Sequence, residues 1–201
     1  FNTACDTLDI VYGDMKYDET KTPKYTFERY KVTYSCERSK LPDKSAPPLP
    51  GNKFPPINAF AVYKTKVIWD ETGNNWKNPR TDGNNATYEK QLIADYIDDL
   101  VFLPIDDEGK LIDPPPTTNN ATKSKLYKIK TVDIALSIRS TKKFYRSDKD
   151  RTKFTLNNPL RKKTRNDKYF RETIVVTAHA RNMGTLSVSY THLTLPTRAV
   201  V

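Results

Sequence analysis

Gln91-Leu92-Ile93-Ala94-Asp95-Tyr96-Ile97-Asp98-Asp99-Leu100-Val101-Phe102, running on to Asp106-Asp107-Glu108-Gly109, is the stretch on which the fold turns. Leu92, Ile93, Tyr96, Ile97 and Leu100 recur at the spacing of one apolar helix face. That spacing predicts a helix of two or three turns, stopped by Pro104, whose ring and missing N–H cannot continue it. Asp95, Asp98 and Asp99 then fall on a solvated helix end. As paired carboxylates for acid–base work they lack a partner base.

Outward from this segment the pattern switches to a period of two. Leu8, Ile10 and Tyr12 alternate into a turn at Gly13-Asp14. Tyr30, Val32, Tyr34 and Cys36 alternate with charged or hydroxyl residues, as do Ala61, Tyr63, Thr65, Val67 and Trp69. The run 70–75 supplies a turn before Trp76. Val132, Ile134, Leu136 and Ile138 face one way against Thr131, Asp133, Ser137 and Arg139. Ile174, Val176, Ala178 and Ala180 do so against Val175, Thr177, His179 and Arg181. Such alternation predicts an antiparallel sheet with one wet face.

Three long connections separate these strands. Residues 41–56 hold six prolines, 113–124 hold a Pro triplet and the run Thr117-Thr118-Asn119-Asn120, and 146–168 are densely charged. Loops of this size in a compact domain tend to be functional or mobile.

With 201 residues the chain suits one domain. Hydrophobic residues make up only 36%, so the core is thin, and 12 Tyr, 8 Phe and 2 Trp supply large amphipathic side chains for half-buried sheet surfaces. Six glycines leave little for phosphate-cradling loops. Nucleotide-binding, serine-hydrolase and zinc-protease signatures do not occur. Asp106-Asp107-Glu108-Gly109 reads as a β-turn, because Pro104 takes the first-ligand position of a calcium loop. Two Cys and His179 do not fall at zinc spacing, and His179 reads as a packed or hydrogen-bonded strand residue. No cofactor, metal or catalytic residue is expected.

The three segments 91–102, 131–140 and 170–182, the last ending His179-Ala180-Arg181-Asn182, resemble in order the C-terminal half of PilW-like minor pilins and GspJ-like pseudopilins. The resemblance implies an α+β, pilin-like globular domain, mainly antiparallel β-sheet with long Pro-rich and charged loops. It further implies a non-enzymatic subunit of a type IV pilus or secretion pseudopilus. Its partners would be other pilin or pseudopilin subunits, and it would sit in the cell envelope, between inner membrane and periplasm or on an extracellular pilus. Members of these families carry an apolar N-terminal helix with an early Glu. Phe1 is followed instead by Asn2-Thr3-Ala4-Cys5, so that membrane helix is expected upstream of this chain. The domain is then expected over 1–186. Val188-Ser189-Tyr190-Thr191-His192-Leu193-Thr194-Leu195-Pro196-Thr197 resembles a translated transposase adapter from sequencing-library preparation, which makes 187–201 a non-native tail.

In an exported domain Cys5 and Cys36 admit two readings, a disulfide tying the N-terminal segment to the strand around Tyr34, or two small buried thiols. Asn85-Ala86-Thr87 and Asn120-Ala121-Thr122 match the glycosylation acceptor pattern; the resemblance implies a bacterial protein, in which they would be chance occurrences. The formal net charge of +10, or +9 without Arg198 of the tail, favours anionic partners. The densest positive region is Lys142, Lys143, Tyr145 and Arg146 followed by Arg161, Lys162, Lys163 and Arg165. Cations neutralise phosphates and aromatics stack on bases, so the alternative is a secreted or surface module that holds DNA or another anionic polymer through these basic loops.

Overall fold

A computed structural model describes residues 5–79, 86–113, 115–116, 123–154 and 162–180, of 153–154 and 162–163 the backbone alone. It is mostly antiparallel β-sheet. The strands are β1 (Leu8–Tyr17), β2 (Tyr25–Arg38), β3 (Phe60–Asp70), β4 (Asn75–Trp76), β5 (Tyr88–Ile105), β6 (Thr131–Arg139), β7 (Lys149–Phe154), β8 (Lys162–Asp167) and β9 (Arg171–His179). The one helix among the described residues, α1 (Lys123–Leu126), is a single turn. The α+β pilin-like expectation is therefore overturned: the architecture is an open sheet ordered β1-β2-β3-β5-β6-β9, with β4 on the end of β3, and a separate β7–β8 hairpin.

The expected helix over Leu92–Leu100 is the middle of β5. Backbone pairing explains the misleading pattern. Phe60 pairs with Ile97, Val62 with Ala94, Tyr63 with Leu92, Lys64 with Gln91 and Lys66 with Tyr88. At three places β5 carries one more residue than β3, and each such bulge breaks the strict in–out alternation. Lys90 and Tyr96 take the left-handed conformation at two of them, with φ 49 and 61. The apolar set does not share a face: Leu92 and Ile93 are 54% and 51% exposed, whereas Ile97 is fully buried. Asp98 and Asp99, expected at a wet helix end, are buried. From Ile97 to Phe102 every residue is buried, the mark of a central strand covered on both sides.

Other expectations shift by less. β1 runs straight through Gly13-Asp14, with Leu8 to Tyr17 paired residue for residue against Tyr34 to Tyr25, and the chain turns at 18–24 instead. Gly13 stays paired in the strand, and the Phe27 ring lies over the space that a Cβ there would take. Trp69 and Trp76 pair across the expected turn, edge to face at 5.0 Å. In β6 the supposedly wet face is the buried one: Ala135, Ser137 and Arg139 are enclosed while Ile134, Leu136 and Ile138 are half-buried. Part of the charged connection 146–168 is the β7–β8 hairpin.

Two compact units divide the chain, Phe1–Phe102 with Asp133–Thr177, and Leu103–Val132 with Ala178–Val201. In the first, Tyr30, Val32, Ala61, Val62, Ile97, Leu100, Val101 and Ala135 form the core. Cys5 and Cys36 are joined by a disulfide, Cα to Cα 6.0 Å. Beside it Cys5 bridges Leu100 in parallel, and Asp6 both donates its N–H to the Leu100 carbonyl at 2.9 Å and accepts from the Phe102 N–H at 3.2 Å. In the second unit Asp106 makes the expected β-turn: its Oδ1 accepts from the N–H groups of Glu108 and Lys110, and Gly109 takes φ +79. Asn85, Asn120, His192 and the tail 187–201 lie outside the described residues.

Candidate anion-binding site

The β7–β8 hairpin places Arg151 directly opposite Arg165. Two cations facing each other across a strand pair repel, and nothing in strand propensity asks for them there. Both turn toward a small cavity of about 170 Å³ lined by Asp98, Tyr145, Arg151, Thr152, Arg165, Tyr169 and Arg171. Every one of these side chains can hydrogen-bond or carries a charge. β5 contributes Asp98, the approach to β7 contributes Tyr145, and the entry to β9 contributes Tyr169 and Arg171.

Each arginine is held differently. Arg171 is nearly enclosed, its side chain 9% exposed, and its two Nη atoms donate to the two oxygens of Asp167 at 2.8 and 2.7 Å. The paired guanidinium holds the Asp167 carboxyl below its usual range. Its Nε sits 3.6 Å from Asp98 Oδ1, and that Nε has no hydrogen-bond acceptor. Arg151 lies over the Tyr145 ring, 3.7 Å from its centroid, and donates to the carbonyls of Lys149, Ser147 and Asp167. Arg139, buried in β6, stacks on Tyr169 at 4.1 Å and donates to the Asn58 carbonyl. Arg165 is looser: a third of its side chain is exposed, and one Nη reaches Asp98 Oδ1 at 3.5 Å. A stacked, carbonyl-tethered guanidinium is pre-organised, so a ligand meeting it loses little side-chain freedom.

Of the sequence-predicted residues, Tyr145 and Arg165 are brought together in this cavity. Lys142, Lys143 and Arg146 are exposed beside the hairpin, without lining it. Lys162 and Lys163 lie on β8, with side chains outside the described residues, as is Arg161 altogether. Sequence reasoning missed Arg139, Arg151, Tyr169, Arg171 and Asp98. The usable signal was one tyrosine ahead of a cationic strand, Tyr145 before Arg151, since arginine stacks on aromatic faces; the ring of Tyr169 is covered by Arg139 and not by its neighbour Arg171. Asp98 was hidden by the helical misreading of β5. His179 is exposed at the end of β9, and no group of His, Cys, Asp and Glu among the described residues could hold a metal. No helix of the described residues is long and apolar enough to cross a membrane. Comparison with family models, with curated proteins and with solved structures finds no match to this chain.

Proposed function

We propose that this chain is the sheet domain of a non-catalytic filament subunit, a minor pilin or pseudopilin acting in type IV pilus or secretion-pseudopilus assembly. The observation that carries the reading is topological. The three segments that bear the resemblance fall on β5, β6 and β9, which are successive neighbours in one sheet. Only Arg181 and Asn182 of them lie outside the described residues. That the three segments pair in the same order in which they resemble the family is what supports the functional reading. On this reading the partners are other pilin or pseudopilin subunits and the inner membrane. The test is to recover the intact gene from its source DNA. A prepilin-type cleavage site followed by a Glu-bearing apolar run is expected, and an ordinary signal peptide there overturns the proposal.

The arginine cavity, and the exposed Lys142, Lys143 and Arg146 that flank its Tyr145 in the chain, favour a second reading, a surface module for an anionic polymer such as DNA. Phosphate contacts release counterions, so affinity for a 20-nucleotide single strand should fall steeply as salt rises. A salt-independent affinity, or none, rejects it.

A further inference from the structure

We infer that the cavity between the β7–β8 hairpin and Asp98 is a subsite for one carboxylate-bearing sugar residue, a uronic acid, of an acidic polysaccharide. The inference rests on the second reading above, binding of an anionic polymer, and narrows it to one ligand chemistry. It does not depend on the filament reading.

Charge balance selects a singly charged group. Arg151, Arg165 and Arg171 line the space together with Asp98, and Asp167 neutralises Arg171 from outside it. Arg165 has one long contact, to Asp98, and a third of its side chain open to solvent, so most of its five donors remain for a ligand. The cross-strand repulsion between Arg151 and Arg165 is relieved by one negative group between them. A carboxylate supplies that charge in the planar geometry that guanidinium forks match. A phosphate dianion brings a second charge toward the Asp98 carboxylate, which costs rather than stabilises.

The rest of the lining selects what carries the carboxylate. Asp98 accepts hydrogen bonds, and the hydroxyls of Thr152, Tyr145 and Tyr169 both donate and accept. A ligand that fills this space must present donors and acceptors all round, as a hydroxylated ring does. At about 170 Å³ the cavity has room for about five or six waters by liquid volume, which suits one ring rather than a long apolar group. Base stacking is not what it offers: Arg151 covers a face of Tyr145, and Arg139 covers a face of Tyr169.

Calorimetric titration of the full chain tests the assignment, with trigalacturonate as the probe, and maltotriose, inorganic phosphate and a 20-nucleotide single strand as comparisons. Trigalacturonate is expected to bind, and maltotriose to bind at least about tenfold more weakly, since a hydrogen bond to a charged group is worth that factor or more. Arg165→Gln is expected to weaken trigalacturonate about tenfold or more. This side chain is partly exposed, so the variant folds, which its unchanged circular dichroism would verify. Lys21→Gln, on the turn after β1 and outside the cavity lining, is expected to change nothing. The inference is overturned by no trigalacturonate binding up to about 10 mM, by equal binding of maltotriose, or by an affinity that Arg165→Gln leaves intact. Binding of the DNA strand without trigalacturonate overturns it while leaving the second reading standing. Failure of all four probes removes both.

Discussion

At the scale of single residues, the strongest electrostatic arrangement is the two-pronged contact of Arg171 with Asp167. Because Arg171 is nearly enclosed, removing its acceptor leaves a buried cation with Asp98 as the remaining carboxylate in reach. Asp167→Asn is expected to cost about 2 kcal/mol at neutral pH, less than a fully buried pair because Asp167 is partly exposed. The pH dependence has a definite sign. Asp167 has a folded pKa below its ordinary value of 3.8, so its contribution is complete above about pH 4 and is lost as pH falls through the folded value. Urea midpoints of the parent and Asp167→Asn chains should therefore differ most at pH 7 and converge below pH 4. An equal gap at pH 7 and pH 3 would show that the carboxylate charge is not what stabilises. None of this was legible beforehand, since the run Lys163-Thr164-Arg165-Asn166-Asp167 reads as a wet loop until a strand aims its side chains inward.

Among elements, β5 separates the sequence reading from the structure most sharply. Alternation alone located β2, β3, β6 and β9, because an uninterrupted pleat leaves a period of two in the residues. β5 is interrupted three times in ten residues, and its apolar positions then imitate a helical stripe. The two architectures make opposite claims about Ile93 and Ile97. On a helix both belong to one buried face and respond alike to truncation. In the bulged strand Ile97 is fully buried and Ile93 half-exposed. Ile97→Ala should cost about 2–5 kcal/mol by cavity formation, and Ile93→Ala less than about 1. Chemical denaturation of the two variants decides it, and comparable losses would restore the helix. The β7–β8 hairpin was illegible for a different reason: its residues are nearly all polar, so no apolar alternation marks it, and register alone brings Arg151 against Arg165.

For the whole molecule the thin core makes the disulfide matter. A chain that is 36% hydrophobic has modest apolar area to set against the entropy of ordering its backbone. Cys5 and Cys36 are 31 residues apart, and the link spans from the segment bridged to Leu100 across to β2, where Cys36 faces Val62 of β3. It thus fastens the segment ahead of β1, which bridges β5 at Leu100, to β2, the strand that pairs with β1. Closing a loop of this length lowers the entropy of the unfolded chain by the equivalent of about 3.5 kcal/mol. That is a large share of the roughly 5–15 kcal/mol by which a domain of ordinary stability stays folded. Cys36→Ser, or reduction of the parent chain, should lower the urea midpoint accordingly with the sheet signature in circular dichroism retained before the transition. The double variant Cys5→Ser with Cys36→Ser should match the single one, because the loss belongs to the link and not to either sulfur. A midpoint unmoved by reductant would mean that the two residues act as packed thiols, and that the pairing of Asp6 with Leu100 and Phe102 holds the N-terminal segment by itself.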